Sequence, residues 1–268
     1  MKFRFRLKPY RSKYLTLVPY DRDLLNEAKQ QFWRERYQLG FQDLTTNTQV
    51  EVFKINSGKK FETFAFIDIS DKYDHKDVSK VFLDFLLNHR SQLSHKIQID
   101  VDCIDEGMIP AIVQAFELST YNLSIYTTAA KETHPLQAAG AEVVFVGGEN
   151  IGRRYKAQVA EQQIITKYQR EAMDLVNGPA NKVDADYLVK WIKGKVQSSS
   201  LKVKVLNKTA MAKKGLHAVL AVNRGSAIEP AFIIAEHRGA PNSDTGTIGL
   251  VGKGVTFDTG GLSIKPSN

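Results

Sequence analysis

The sequence contains a single cysteine, Cys103, among its 268 residues. An intramolecular disulfide is therefore impossible, and a zinc cluster built from several thiolates is excluded. Any metal site in this chain must use oxygen and nitrogen ligands.

Long apolar runs are also missing from the sequence. No run of about 18 uncharged apolar residues occurs, and the N-terminus lacks the apolar centre and small-residue cleavage site of a secretory signal. We therefore expect a cytoplasmic protein with no membrane partner. Apolar side chains still make up 43% of the chain, which is enough to bury the core of one large or two modest domains.

The net charge of +8 is concentrated at the N-terminus. Six cations and no acid occur among the first fourteen residues, namely Lys2, Arg4, Arg6, Lys8, Arg11 and Lys13. In this segment the cations alternate with Phe3, Phe5 and Leu7, the period of a strand with one solvated face and one buried face. The pattern favours an edge strand over the alternatives, a phosphate-binding strip or a targeting arm.

The first 150 residues alternate between strand and helix patterns. The predicted strands are 13–19, 62–69, 96–102, 122–128 and 141–148, and the predicted helices are 78–93 and 106–118. This alternation predicts an α/β fold with helices packed around a largely parallel or mixed sheet.

Two groups of side chains in this part resemble metal ligands at first sight. The acids Asp100, Asp102, Asp105 and Glu106 follow a predicted strand, where Asp105 is a natural helix N-cap. The histidines His75, His89, His95 and His134 lack the spacing of a ligand set. We interpret both groups as structural.

The sequence pattern changes near residue 150. A helix over 155–177 is predicted to end at Asn177-Gly178-Pro179, because glycine accepts a left-handed cap and proline cannot continue the helix. Beyond it we predict a helix capped by Asp184 over 184–192, a short helix near 208–214, and strands at 201–207, 217–223, 230–236 and 247–253. The strands read as apolar on both faces, which is typical of a central sheet. The predicted domains are 1–150, a linking helix over 151–178, and 179–268.

The last residues, 246–268, combine several glycines with Lys253, Asp258 and Lys265. The order of residues does not fit a phosphate-binding loop, because Lys253 precedes the glycine-flanked segment and is followed by neither Ser nor Thr. An aspartate and a neutral lysine can ligate a divalent cation. On spacing alone, surface lysines that flank a turn with a capping aspartate are favoured over a metal site.

The segment VGKGVTFDTGGLSIK (251–265) closely resembles the metal-binding segment of the cytosolic leucyl aminopeptidase family. Arg170 and the run from Leu175 to Asn181 resemble the start of that family's catalytic domain, and residues 214–226 resemble a further segment of it. The first 150 residues are similar in layout to the family's N-terminal domain, which is macro-like. The resemblance implies a macro-like αβ domain joined by a long helix to an α/β catalytic domain with a central mixed sheet.

The resemblance also implies a mechanism and site residues. Lys253 matches a metal-ligating lysine, Asp258 the aspartate that bridges two ions, and Lys265 the catalytic lysine that polarises the scissile carbonyl. In the family, two divalent ions, Mn²⁺ or Zn²⁺, activate a water that releases the N-terminal amino acid, leucine-type, from a peptide with a free N-terminus. The family forms homo-hexamers.

The sequence as read departs from the family pattern after Lys265. A second aspartate ligand and the N-T-D-A-E-G-R segment, with its further carboxylates, have no counterpart before Asn268. We therefore expect an incomplete catalytic domain that is inactive in this form. The alternative function is a non-catalytic module that binds nucleic acid or a protein partner through the basic N-terminal domain.

Overall fold

The computed structural model describes residues 1–10, 13–21, 27–37, 50–56, 61–72, 74–102, 104–122, 133–196, 201–239 and 246–257. The chain divides into two compact units, Met1–Met173 and Asp174–Asn268. The predicted division at residues 150 and 178 stays a prediction. Within the described residues, no helix combines the length and apolar character needed to cross a membrane.

The first unit alternates strands and helices along the chain. Its elements are β1 (Lys2–Arg6), β2 (Leu15–Tyr20), α1 (Glu27–Tyr37), β3 (Val50–Asn56), β4 (Phe61–Asp68), α2 (His75–Asn88), β5 (Lys96–Asp100), α3 (Ile109–Ser119), β6 (Glu142–Val146) and α4 (Ile151–Asn177), whose last four residues fall in the second unit. Short 3₁₀ turns follow α2 and precede α3 and β6. The predicted strand 122–128 lies outside the described residues, except for Asn122.

The six strands form one sheet in the order β1-β6-β5-β2-β4-β3. Neighbouring strands are parallel except for β3, which runs antiparallel to β4. Parallel strands require crossover connections, and helices supply them here. The predicted α/β fold with a largely parallel sheet is confirmed for this unit.

Both faces of the sheet are covered. On one face, side chains such as Leu17, Ile99 and Phe145 pack against α2, α3 and α4. On the other face, Trp33 and Tyr37 of α1 pack against β2 and β4 through residues such as Phe66. Alternate residues of one strand point to opposite faces, so Leu17 and Val18 belong to different cores. The strand residues are apolar at nearly every position because helices cover both sides.

Strand β1 is an edge strand, as the alternation in the sequence predicts. Lys2, Arg4 and Arg6 are exposed, whereas Phe3 and Phe5 are partly buried against the core. The register places Phe3 opposite Val143 and Phe5 opposite Phe145 in β6. The phenyl ring of Phe3 stacks on that of Phe145, with 6.0 Å between ring centroids.

Helix α4 ends at Asn177, as predicted, although it begins at Ile151 rather than near residue 155. A Cβ atom at Gly178 would lie 2.2 Å from Cγ2 of Val183 and 3.2 Å from the carbonyl oxygen of Asp174. Gly178 does not have a positive φ, so the predicted left-handed cap is wrong. Glycine is required here because a Cβ atom would clash with Val183.

The second unit contains three further helices and a two-stranded sheet. Its elements are α5 (Ala185–Lys195), β7 (Leu201–Leu206), α6 (Lys208–Lys213), α7 (His217–Val222) and β8 (Phe232–His237). The side chain of Asp184 caps α5, because its Oδ1 accepts a hydrogen bond of 2.7 Å from the backbone N–H of Tyr187. The predictions for α5, β7, α6 and β8 are confirmed.

The strand predicted over 217–223 is wrong, because His217–Val222 forms helix α7. A short apolar run does not distinguish a buried strand from a helix, and Ala218, Leu220 and Ala221 have high helix propensity. The backbone N–H of Asn223 donates to the carbonyl of Val219, and its side-chain amide donates to the carbonyl of Ile228. The first bond satisfies a carbonyl at the C-terminal end of the helix, and the second holds the segment that follows it.

The central sheet predicted for the second block is also not found among the described residues. Strands β7 and β8 pair only with each other, antiparallel. Residues 246–257 form neither strand nor helix and are exposed, so the strand predicted over 247–253 is wrong. A strand is defined by backbone hydrogen bonds to a neighbouring strand, and no described residue provides them to this segment. As a consequence, apolar side chains of this unit are exposed, including Phe232, Ile234, Ile248 and Leu250.

Candidate functional site

The structure describes one of the three residues that were predicted to form the site. Lys253 lies in the exposed segment 246–257, whereas Asp258 and Lys265 lie outside the described residues. No three His, Cys, Asp or Glu side chains converge in the part of the chain that the structure describes. A single lysine does not hold a dication, so the described residues alone do not complete a metal site.

The glycines around Lys253 have no neighbours that require them. A Cβ atom at Gly249, Gly252 or Gly254 would meet no atom within 4 Å, and none of the three has a positive φ. Contacts with the described residues therefore give no reason for glycine at these positions. Close approach of a ligand to this backbone stays a prediction.

The acidic cluster after β5 is structural, as predicted. Asp100 is fully buried, and its Oδ2 accepts a 2.5 Å hydrogen bond from Tyr37 and lies 3.2 Å from Nε of Arg36. Nη1 of Arg36 also lies 2.6 Å from Oδ2 of Asp102. Burial raises the pKa of Asp100, and the Arg36 guanidinium opposes that change. Burial also raises the pKa of the Tyr37 phenol. The carboxylates are engaged by α1, so they are not open metal ligands.

The two acids that follow have partners of their own. Oδ1 of Asp105 accepts a 2.8 Å hydrogen bond from the backbone N–H of Gly107, which confirms its predicted role as an N-cap. Glu106 pairs with Arg154 of α4, with 2.8 Å between Oε1 and Nη2. Both acids therefore stabilise the connection from β5 to α3.

The histidines do not converge either. His75 hydrogen-bonds to Gln114 at 3.0 Å, and the ring of His89 stacks on Phe85 with 5.2 Å between centroids. His134 is 3% exposed, and its Nδ1 accepts a hydrogen bond from the backbone N–H of Leu136. Burial lowers the pKa of His134. The structural interpretation of these three histidines is confirmed.

A polar cluster beside β1 was not predicted from the sequence. Glu142, at the start of β6, lies 3.4 Å from Nε of Arg4 and 3.6 Å from Nζ of Lys96, and it accepts a short hydrogen bond from Tyr14. That hydrogen bond and the two cations hold the pKa of Glu142 below its usual range. Tyr14 stacks on Tyr10 with 4.4 Å between ring centroids. The partners are up to 138 residues apart in the sequence, so no local pattern could have identified them.

Comparison with known proteins gives information on the second unit that its geometry does not. The sequence model of the catalytic domain of the cytosol aminopeptidase family matches residues 170–268. Residues 170–268 are therefore similar to part of that catalytic domain, in agreement with the family resemblance of the motifs.

Two curated relatives support this assignment. A probable cytosol aminopeptidase from Chlamydia abortus is 32% identical over 206 residues, which cover 74% of this chain and 40% of the relative. A probable cytosol aminopeptidase from Chlamydia caviae is 46% identical over 94 residues, which cover 35% of this chain and 19% of the relative. The chain thus spans less than half the length of these relatives.

A solved structure supports the fold. A lysine-to-glutamate mutant of tomato leucine aminopeptidase matches 98% of this chain and 55% of its own chain, with a TM-score of 0.71 and 16% sequence identity. At this identity the match shows the α/β fold alone. The comparisons do not favour a non-catalytic binding module as the function of the protein.

Proposed function

We propose that residues 170–268 contribute to the active site of a metal-dependent aminopeptidase that releases leucine-type N-terminal residues from peptides. The match of these residues to the family's catalytic domain carries the proposal. The agreement of the whole segment 251–265 with the family's metal-binding pattern supports it, because both lysines and the aspartate stand in register.

The proposed roles differ for the three site residues. Lys253 and Asp258 would ligate the metal, and Lys265 would contact the scissile carbonyl of the substrate. Two divalent ions, Mn²⁺ or Zn²⁺, would supply Lewis-acid activation when bound. Lys253 must lose its proton to act as a ligand, whereas Lys265 must keep its charge to stabilise an oxyanion. Further ligands have to come from residues other than those described.

The remaining features of the family are part of the same proposal. The substrate would be a peptide with a free N-terminus, the full-length assembly a homo-hexamer, and the location cytoplasmic. The six-stranded mixed sheet with helices on both faces supports a macro-like N-terminal domain. Strands β7 and β8 would belong to the central sheet of the catalytic domain.

A segment exchange tests the activity. In the relative from Chlamydia caviae, the segment that aligns with residues 170–268 is replaced by residues 170–268 of this chain; we call this protein the exchange chimera. Hydrolysis of leucine p-nitroanilide is measured with Mn²⁺, and the unaltered relative sets the reference rate. We expect Lys265→Ala to lower kcat by about 10²–10³-fold, as loss of an oxyanion donor does.

The matched control removes a lysine that has no proposed role. Lys208 is exposed at the start of α6, and Lys208→Ala should leave kcat of the exchange chimera unchanged. If the Lys265→Ala chimera is folded and hydrolyses the anilide as fast as its parent, the proposed role of Lys265 is wrong.

A further inference from the structure

The outer edge of β1 has no partner strand among the residues that the structure describes. Strand β1 pairs with β6 on one side, and no strand in the described part of the chain pairs with its other side. The backbone N–H of Lys2 donates to Ala141, and the backbone carbonyl of Arg6 accepts from Gly147. Alternate residues of a parallel strand bond to the same neighbour, so the backbone groups of Phe3 and Phe5 face the open edge.

A groove lies beside this edge, between β1 and α4. It has a volume of about 480 Å³, within the range of about 300–1,000 Å³ that is usual for ligand sites. Phe3, Phe5, Val159 and Ala160 contribute apolar surface to its wall. An extended segment bound at the edge would place every second side chain in this groove.

The charges around the edge are almost all positive. Lys156 contributes a cation to the groove, and none of the lining residues carries a carboxylate. Arg4 also borders the groove, but its side chain points to the face of β1 opposite Phe3 and Phe5. Lys2 and Arg6 are exposed on the opposite face of β1. The carboxylate beside them, Glu142, is only 11% exposed and is already held by Arg4 and Lys96.

These observations distinguish between possible occupants. A second copy of β1 would place Lys2, Arg4 and Arg6 opposite the same cations, and like charges across a strand pair are destabilising. Nucleic acid would use the cations, but it would leave the strand edge and the apolar groove without partners. An extended peptide uses the backbone edge, the groove and the cations together.

We infer that the open edge of β1 binds an extended acidic peptide segment in which apolar and acidic residues alternate. The apolar side chains enter the groove against α4, and the acidic side chains meet Lys2, Arg4 and Arg6 on the other face. The inference does not depend on the proposed peptidase activity, because it concerns only residues of the first unit.

The test uses the whole chain and a labelled peptide of sequence EVEVEVE, with EEVVEEV as a control of identical composition. Fluorescence anisotropy should show binding of the alternating peptide and at least about tenfold weaker binding of the control. Hydrogen exchange should slow at the amides of Phe3 and Phe5, but not at Arg4, whose N–H faces β6. Equal binding of the two peptides, or no binding of either, overturns the inference.

Variants separate the contributions of charge and groove. Lys2→Glu should weaken the alternating peptide about five- to tenfold, because it turns an attractive cross-strand pair into a repulsive one. Lys80→Glu makes the same charge change on the exposed face of α2 and should have no effect. Ala160→Phe fills the groove from an exposed helix position and should weaken binding without changing any charge.

Two further measurements address backbone pairing and nucleic acid. One peptide carries N-methyl groups on its valines and another on its glutamates; because only one set of N–H groups can face β1, one peptide should bind and the other should not. Equal binding of the two overturns strand addition. Binding of a 20-base-pair DNA duplex that Lys2→Glu abolishes, without binding of EVEVEVE, would assign the edge to nucleic acid instead.

Discussion

The imidazole of His134 is buried, and no carboxylate pairs with it among the residues that the structure describes. It is 3% exposed, and burial lowers its pKa, with the nearby Arg90 acting in the same direction. The ordinary pKa of histidine is about 6.5. The folded chain therefore resists a proton that the unfolded chain accepts as pH falls below that value.

This difference predicts a pH dependence of stability. The contribution of neutral His134 is fully present above about pH 6.5 and is lost as pH falls below it, by at most about 1.4 kcal/mol per pH unit. Urea unfolding at pH 7, 6, 5.5 and 5 measures it. His134→Asn should remove this part of the pH dependence, and His75→Asn, at an exposed histidine, should not. Identical pH profiles for the parent and His134→Asn would contradict the prediction.

The ion pair between Asp100 and Arg36 is a contact that the sequence alone did not predict. The position of Asp100 at the end of a strand and the N-cap role of Asp105 were predictable from local patterns. The partners of Asp100 were not predictable, because Arg36 and Tyr37 lie more than sixty residues earlier in the sequence, on helix α1. Residues this far apart in the sequence produce no periodic pattern that would indicate their contact.

At the level of elements, prediction succeeded where a segment carried its own boundary signals. Helix α5 begins after its Asp184 cap, α4 ends at Asn177 before the Gly-Pro pair, and β1 alternates between exposed cations and partly buried phenylalanines. Prediction failed for α7 and for residues 247–253, which are short apolar runs without such signals. Whether such a run becomes strand or helix depends on its tertiary partners.

The Asp184 cap gives a prediction for one element. Asp184→Ala removes the hydrogen bond to the N–H of Tyr187 and should destabilise α5 by about 1 kcal/mol. Asp186→Ala is the matched control, because Asp186 lies in the first turn and makes no capping bond. Its effect should be smaller, about 0.3–1 kcal/mol, since only its interaction with the helix dipole is lost. Amide exchange within α5 measures both; equal effects would show that the cap contributes nothing of its own.

At the scale of the whole molecule, the two units differ in how much of their surface is covered. The first unit buries both faces of its sheet, whereas the second leaves apolar side chains such as Ile248, Leu250 and Val251 almost fully exposed. The α/β class of the first unit followed from the alternation of strands and helices. The similarity of the second unit to the cytosol aminopeptidase family was predicted from sequence motifs. The exposure of its apolar side chains was not predicted, because an apolar pattern does not show which residues cover it.

The site itself was predictable only as a motif. The family resemblance predicts roles for Lys253, Asp258 and Lys265, and the model of the family's catalytic domain matches the region that contains them. Their arrangement in space depends on residues beyond the described ones. The central claim is therefore that Lys253 and Asp258 are metal ligands.

Anomalous diffraction from crystals of the exchange chimera soaked in Mn²⁺ tests this claim most directly. We predict a manganese peak in contact with Nζ of Lys253 and with the carboxylate of Asp258, and its loss in the Asp258→Ala chimera. A chimera that binds manganese elsewhere, with neither side chain beside the ion, would contradict the account.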